Sequence, residues 1–287
     1  MAMKVGIQLY SIKTKMKEDP VAAIAKVADM GYKYLEGANH NALEDPGVGF
    51  PAAASELRKQ AEARGSRFIG CHISPLQASN LPKVLAYHKA LGTSYLINPA
   101  RFFSSRDDVL RQCEEFNDVA GKCAEEGIAY LYHNHFHEFQ RIDGEKTVLD
   151  LIVENTDPGK VGIQLDTYWA MRGGFDPVAV IGKYGSRIKI LHQKDMPADL
   201  QGPVNAFEMV DEKSELTMEQ LRGAFIPNMV VEIGTGCIDI QRIIDAAAKV
   251  TDIKYIVLEQ DMTQLDEFES IQLSMNAFRK FSGIEWN

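Results

Sequence analysis

The stretch VGIQLD, residues 161–166, shows the pattern that decides the fold, a short apolar run that ends in a carboxylate. Short runs of this kind, rich in Val, Ile and Tyr and bordered by turn residues, are typical of β-strands. Short apolar runs of this length occur eight times along the 287 residues, and two of them end in a carboxylate. The predicted strands are Val5–Tyr10, Tyr34–Gly37, Phe68–Ile73, Tyr95–Asn98, Ile128–His133, Val161–Asp166, Ile188–His192 and Tyr255–Glu259.

Amphipathic helices are predicted between the strands. One of them begins at Asp19 and Pro20, which suit the cap and the first turn of a helix, and ends at Gly31. Strands that alternate with helices favour parallel pairing through crossovers. A doubly wound sheet is the alternative, but a closed barrel accommodates all the strands without exposed edges. We therefore predict an α/β fold, a (β/α)8 barrel that forms a single domain over residues 1–287.

The composition argues against several classes of protein. The formal net charge is −9, and the chain lacks the basic stripe that nucleic-acid binding requires. No long apolar run is present, so no membrane-spanning helix is predicted, and the N-terminus shows no signal peptide. The four cysteines include no C-x-x-C pair, which favours free thiols and a cytoplasmic location.

Polar residues lie at the C-terminal ends of the predicted strands, on the side that alternation would turn inward. Active sites of (β/α)8 barrels form at this end, so we expect the residues to cluster there. One polar residue at a strand end more often bonds a neighbouring loop, but a whole ring is harder to explain in that way. The expected ring consists of Gln8, Tyr10, Glu36, His72, Asn98, His133, His135, Asp166, His192 and Glu259.

Three of these residues predict a metal site. Asp166, His192 and Glu259 end successive strands and should converge. Two adjacent carboxylates repel each other unless a proton or a cation lies between them. Oxygen ligands with one imidazole suit a divalent metal ion, and Mn, Mg, Co and Zn all remain open.

The fourth ligand is expected from the histidine-rich stretch YHNHFHEF, residues 132–139. Glu138 is the preferred ligand because a third carboxylate suits a hard cation, and His133 at the strand end is the alternative. His135 would then lie beside the metal, where it could act as a base. A surface histidine tract is the competing interpretation.

The chain resembles the xylose isomerase-like TIM-barrel family, the sugar phosphate isomerases and epimerases, over nearly its whole length. The resemblance rests on YHNH followed by EF (132–139), QLDTYW (164–169), LHQKD (191–195), GTGCID (234–239) and LEQD (258–261). It implies a Glu, Asp, His, Glu metal site in which Asp166, His192 and Glu259 fill three positions. Many relatives carry glutamate where this chain has His133, and the first ligand role is carried over to Glu138. The subgroup with a His-Asn-His segment is also similar to 3-keto-glycoside lyases and C-glycoside deglycosidases, and more distantly to inosose dehydratases.

The chemistry expected of such a site is the movement of a proton on a sugar or keto-sugar. We expect a metal-dependent isomerase or epimerase that works through an enediolate, with His135, Glu138 and Glu259 as catalytic residues. A lyase or hydratase that acts on a 3-keto-glycoside or an inosose by β-elimination is the alternative, because it shares that intermediate. A non-catalytic carbohydrate-binding protein is a further class. A phosphodiesterase of the DNA-repair type is another, and the net charge of −9 counts against it.

The expected partner is a small carbohydrate, with neither nucleic acid nor a membrane, and the resemblance favours a homo-oligomer. Structural roles compete for some of the binding residues: a hydrogen-bonded His72, a packed Trp169 and an ion pair between Lys194 and Asp195. The longest irregular stretch, Lys194–Cys237, is predicted to be a lid or a decorating insertion. The residues expected to contact substrate are Glu36, His72, His133, Trp169 and Lys194.

Overall fold

The computed structural model describes residues 2–286 and contains a closed barrel of parallel strands. Each barrel strand pairs with the next, and the last pairs with the first, which confirms the predicted (β/α)8 barrel. In chain order the barrel strands are β1 Met3–Gln8, β2 Tyr34–Asn39, β3 Arg67–Ile73, β4 Tyr95–Asn98, β5 Ala129–His133, β6 Val161–Asp166, β7 Ile188–Gln193 and β8 Tyr255–Leu258.

Helices follow the strands and surround the barrel. The predicted cap at Asp19 is confirmed, because its carboxylate accepts hydrogen bonds from the backbone N–H groups of Val21 and Ala22. The α-helices are α1 Lys13–Glu18, α2 Pro20–Asp29, α3 Ala54–Glu62, α4 Leu81–Leu91, α5 Arg106–Glu125, α6 Val148–Asn155, α7 Thr167–Arg172, α8 Pro177–Tyr184, α9 Met218–Gly223, α10 Ile240–Ala247 and α11 Glu267–Phe278.

The ends of the first and last strands differ from the prediction. β1 ends at Gln8, because Leu9–Ile12 form a 3-10 turn in which the Gln8 side chain accepts a hydrogen bond from the backbone N–H of Tyr10. Tyr10 therefore lies beyond the strand instead of on its inward face. β8 ends at Leu258, so Glu259 is the first residue after it.

Asn98 does not face the mouth of the barrel, which corrects the predicted ring. The neighbouring Ile97 belongs to the apolar cluster inside the barrel, and successive side chains on a strand point to opposite faces. The Asn98 amide instead donates to the hydroxyl group of Tyr130 at 3.1 Å.

Apolar side chains form two separate layers. A large core lies between the strands and the surrounding helices. A small cluster from five strands fills the N-terminal part of the barrel interior, so the space above it, at the C-terminal ends, is left to polar groups. The buried members of this inner cluster are Ile69, Ile97, Leu131, Ile190, Tyr255 and Val257.

The segment 194–237 covers the C-terminal end of the barrel. It contains a 3-10 turn, Ala206–Glu208, and helix α9, so it is more ordered than the sequence pattern indicated. Its apolar residues pack on Phe136, Tyr168 and Trp169, which follow β5 and β6. The C-terminal end of the barrel is therefore covered by a third apolar cluster.

Within residues 2–286, none of the helices combines the length and the apolar character that crossing a membrane would demand. The cysteines are free: Cys71, Cys113 and Cys123 are buried and Cys237 is exposed.

Candidate metal centre

Polar side chains from five barrel strands, together with Glu259 directly after β8, meet at the C-terminal end of the barrel and are shielded from solvent. They comprise three carboxylates and three imidazoles, and even the most accessible of them is only 7% exposed. Burial of so many ionisable groups is costly unless their charges compensate one another or bind an ion. The six residues are Glu36, His72, His133, Asp166, His192 and Glu259.

Four of these residues bring their ligand atoms together. His133, Asp166, His192 and Glu259 each offer one nitrogen or oxygen atom, and these atoms lie within 4.8 Å of one another. Ligands that bind a divalent ion at roughly 2 Å lie at most about 4 Å apart, so only small adjustments are needed. Two imidazoles and two carboxylates form a donor set that suits Mn, Co or Zn. The residues present therefore fit a metal ion.

The structure does not bring Glu138 into this group. Glu138 lies on the 3-10 turn His137–Phe139, where its carboxylate accepts hydrogen bonds from the Tyr132 hydroxyl (2.7 Å) and from the backbone N–H of His135 (2.7 Å). Its ligand atoms cluster instead with those of His135 and His137. The alternative ligand from the sequence, His133, takes the place that was expected for Glu138.

Gln164 orients the histidines of the site. Its amide nitrogen donates to Oε2 of Glu36 at 2.7 Å, which directs its carbonyl oxygen towards Nε2 of His72 (2.7 Å) and Nδ1 of His133 (3.0 Å). Both imidazoles then donate through these nitrogens. Nε2 of His133 is left free to bind an ion. The sequence reasoning did not select Gln164, although its position two residues before Asp166 places both on one strand face.

His72 is therefore held within the network. Its Nε2 atom lies 3.1 Å from Glu36 Oε1 in addition to its bond with Gln164. These contacts favour the structural role that was considered for His72. They do not by themselves place it against a substrate.

His192 lies between two carboxylates. Its Nε2 atom is 2.7 Å from Glu36 Oε1, and its Nδ1 atom is 3.0 Å from Glu259 Oε2. Burial alone would lower the pKa of His192, but the two carboxylates raise it to about 10. Burial conversely favours a higher pKa for Glu36, yet His192 and His72 lower it to about 2. Glu36 and His192 therefore form a buried ion pair.

Lys194 lies inside the cluster and is fully buried. Its ammonium group donates to Oδ2 of Asp166 at 2.6 Å and to Oε2 of Glu259, and it lies 3.6 Å from Oδ2 of Asp261. Burial disfavours the charged form, but these carboxylates hold the pKa of Lys194 well above its usual value. Lys194 therefore pairs with these carboxylates and not with Asp195, the structural alternative that was considered for it.

Asp195 binds backbone groups of the covering segment instead of Lys194. Its carboxylate accepts hydrogen bonds from backbone N–H groups at Met196, Gly234, Gly236 and Ile238, at 2.9 to 3.1 Å. These bonds tie the two ends of the covering segment to each other. The segment is therefore fixed to the barrel immediately beside Lys194.

His135 lies at the edge of the cluster, beside an aromatic wall. Its ring centroid is 5.5 Å from Trp169, which is itself 5.2 Å from Phe225 in the covering segment. Burial lowers the pKa of His135 to about 3, and its Nδ1 atom has no hydrogen-bond partner among the residues that the structure describes. The ring is therefore neutral near pH 7 and carries an unused nitrogen.

Comparison with known proteins places the chain among enzymes with this fold. The family described as xylose isomerase-like TIM barrel matches residues 24–281. An inosose dehydratase from Geobacillus kaustophilus (strain HTA426) is 34% identical over 134 residues, which are 46% of this chain and 38% of the relative. The chain thus spans less than half the length of this curated relative.

Solved structures resemble the whole chain. A sugar phosphate isomerase/epimerase from Parabacteroides distasonis is 25% identical, with a TM-score of 0.74 over 99% of this chain and 96% of that one. The IolI protein, solved with a bound zinc atom, shares the fold at 13% identity, with a TM-score of 0.70 over 98% of this chain and 100% of that one. Because the barrel is closed and the family match extends over most of the residues, this chain belongs to the xylose isomerase-like TIM-barrel family.

Proposed function

We propose that this protein is a metal-dependent lyase that removes a proton next to a carbonyl group of a keto-cyclitol or keto-sugar and then eliminates water. The observation that carries the proposal is the convergence of ligand atoms from His133, Asp166, His192 and Glu259 within 4.8 Å of one another. The similarity to an inosose dehydratase favours elimination over the isomerisation that the sequence alone had put first.

The ligand set proposed here replaces Glu138 with His133. A divalent ion held by these four side chains would polarise the substrate carbonyl group and make the neighbouring C–H bond more acidic. Zinc is one candidate, since the neighbour IolI was solved with a zinc atom, and Mn and Co are the others that this donor set suits.

Two residues are candidates for the base that removes the proton. His135 is neutral and has a free Nδ1 atom, but a pKa of about 3 makes it a weak base that needs a strongly acidified proton. Glu259 lies within the ligand group, and its second oxygen is the alternative base. In either case the C–H electron pair forms the new double bond, and the hydroxyl group leaves with a proton as water.

Residues around the ligand group have proposed roles towards the substrate or towards its neighbours in the site. Trp169 forms an apolar wall beside His135, and Lys194 supplies positive charge near the place where an enolate oxygen would develop. Glu36 lies behind His192 and Gln164, so we propose that it orients these residues rather than the substrate. Glu138 would likewise fix the turn that carries His135.

A sugar isomerase or epimerase is the second candidate. It is favoured by the likeness to the Parabacteroides distasonis protein, which extends over 99% of this chain. Both activities share the removal of a proton next to a carbonyl group. They differ in the next step, because an isomerase returns the proton to another carbon or face instead of expelling a hydroxyl group.

The test is to follow proton exchange and water loss in deuterium oxide by NMR. Protein treated with EDTA is given Mn²⁺, Co²⁺, Zn²⁺ or Mg²⁺ in turn, with a panel of inososes and 3-keto-sugars. Metal-dependent exchange with formation of an unsaturated ketone supports the lyase, and exchange with a moved carbonyl or an inverted carbon supports the isomerase. Metal binding without exchange on any substrate would favour a carbohydrate-binding protein and contradict the proposal.

A further inference from the structure

Lys194 occupies a position that is unusual for a lysine. Its side chain is fully buried, yet it points into a group of carboxylates from three different places in the chain. A buried ammonium group is costly unless it is paired. Its nearest partners are oxygen atoms of Asp166, at 2.6 Å, and of Glu259.

The same two carboxylates belong to the proposed metal ligands. A divalent ion bound by Asp166 and Glu259 would lie close to the Lys194 ammonium group, and like charges at such short range repel strongly in a buried site. The lysine and the ion therefore compete for one position between these carboxylates. Tight binding of the ion requires the ammonium group to move.

Asp261 is placed to receive the displaced ammonium group. Its Oδ2 atom is 3.6 Å from Nζ of Lys194. This oxygen is buried and has no hydrogen-bond partner among residues 2–286. A short movement of a flexible side chain would convert the present contact into a hydrogen-bonded ion pair.

We propose that Lys194 is a counter-ion that exchanges with the metal: it pairs with Asp166 and Glu259 when the ion is absent and moves to Asp261 when a divalent ion binds. The inference rests on the proposed metal site and adds a residue that sets its affinity. Lys194 acts as a positioning residue, because its charge keeps the two carboxylates together before the ion arrives. Asp261 lowers the cost of releasing them.

The test measures binding of Zn²⁺ and Mn²⁺ to the EDTA-treated full chain by calorimetry, with chelator competition for the tightest cases. Lys194→Met removes the competing charge and keeps a long side chain, so we expect binding at least about 10-fold tighter than in the wild type. Lys194→Gln serves the same purpose if the methionine variant is unstable. The matched control is Lys189→Met, which changes a lysine on β7, the strand that ends just before Lys194, and this lysine pairs with Asp252.

Asp261→Asn supplies the second measurement. It should weaken metal binding about 10-fold in the wild-type background, because the displaced ammonium group loses its anionic acceptor. The same substitution should have little effect when Lys194 is already Met, so the two substitutions are expected to be non-additive. A purely structural role of Lys194 would not produce this coupling.

Three results would overturn the exchange. Folded Lys194→Met protein that binds the ions no more tightly than the wild type contradicts the competition. An effect of Asp261→Asn that is the same in both backgrounds contradicts the transfer to Asp261. If neither the wild type nor Lys194→Met binds any of the ions, the metal site itself fails, whereas equal binding by both removes only the exchange.

Discussion

The imidazole of His192 lies 2.7 Å from Oε1 of Glu36 through Nε2, while its Nδ1 atom faces Glu259 at 3.0 Å. The two residues come from β2 and β7, which are separated by other strands around the barrel. A carboxylate behind a ligating histidine fixes the ring and makes its other nitrogen a better ligand. Nδ1 of His192 is therefore the nitrogen that we expect to bind metal, with Glu36 as its support.

Replacing Glu36 by Gln tests this arrangement. The amide keeps the shape of the side chain but removes the charge behind His192, so metal affinity should fall by about 10- to 100-fold. Calorimetry with Zn²⁺ measures the change, and Glu44→Gln, in an exposed part of the loop after β2, is the control. Unaltered affinity in a folded Glu36→Gln variant would mean that His192 does not depend on Glu36.

Replacing Glu259 by Gln removes an anionic ligand directly. We expect metal binding and turnover to fall by more than about 100-fold, a larger loss than for a supporting residue. The fold should persist, because Lys194 retains Asp166 and Asp261 as partners. Full activity in the variant would exclude Glu259 as ligand and base. Glu114→Gln, an exposed position on α5, controls for the same chemical change.

The buried His88 should make the free energy of unfolding depend on pH. It is buried in α4, where burial lowers its pKa from 6.5 to about 4. The unfolded chain therefore binds a proton that the folded chain does not bind between these values. The contribution of His88 to the free energy of unfolding is complete above pH 6.5. About 3 kcal/mol of this contribution is lost as the pH falls towards 4.

The measurement for His88 is urea unfolding at several pH values in this window. His88→Gln has no titrating ring, so its unfolding free energy should fall less than that of the wild type between pH 6.5 and 4. The remaining slope would come from other groups, including His135 with a pKa of about 3. Identical slopes for the two proteins would show that the pKa of His88 is the same in the folded and the unfolded chain, which contradicts the prediction.

Asp195→Asn should loosen the segment that covers the site. The amide keeps only one acceptor oxygen, so it loses either the bonds from Gly234 and Gly236 to Oδ2 or those from Met196 and Ile238 to Oδ1. The expected loss is about 2 to 3 kcal/mol of unfolding free energy, with faster proteolysis between residues 197 and 233. Asp199→Asn, exposed in the same segment, should change neither quantity.

Much of the site followed from strand patterns. Each predicted strand is present, and Asp166, His192 and Glu259 meet as expected because the ends of parallel barrel strands share one rim. Two residues of the predicted ring were exceptions. Tyr10 left the inward face because β1 stops at Gln8, and an error of one residue in register is enough to turn a side chain such as Asn98 to the opposite face.

The sequence by itself determined the alternation of strands and helices, and with it the barrel and the rim that carries the ionisable groups, because these depend on local hydrophobic periodicity. Only the tertiary structure decided which of those groups form hydrogen bonds and ion pairs with one another. The carboxylate of Glu138 accepts hydrogen bonds from Tyr132 and from the backbone of His135. The ammonium group of Lys194 donates to Asp166 and Glu259. These contacts depend on distances in space between residues that are far apart in the chain. The spacing of residues along the sequence does not determine such distances, so it cannot predict which buried charges form pairs.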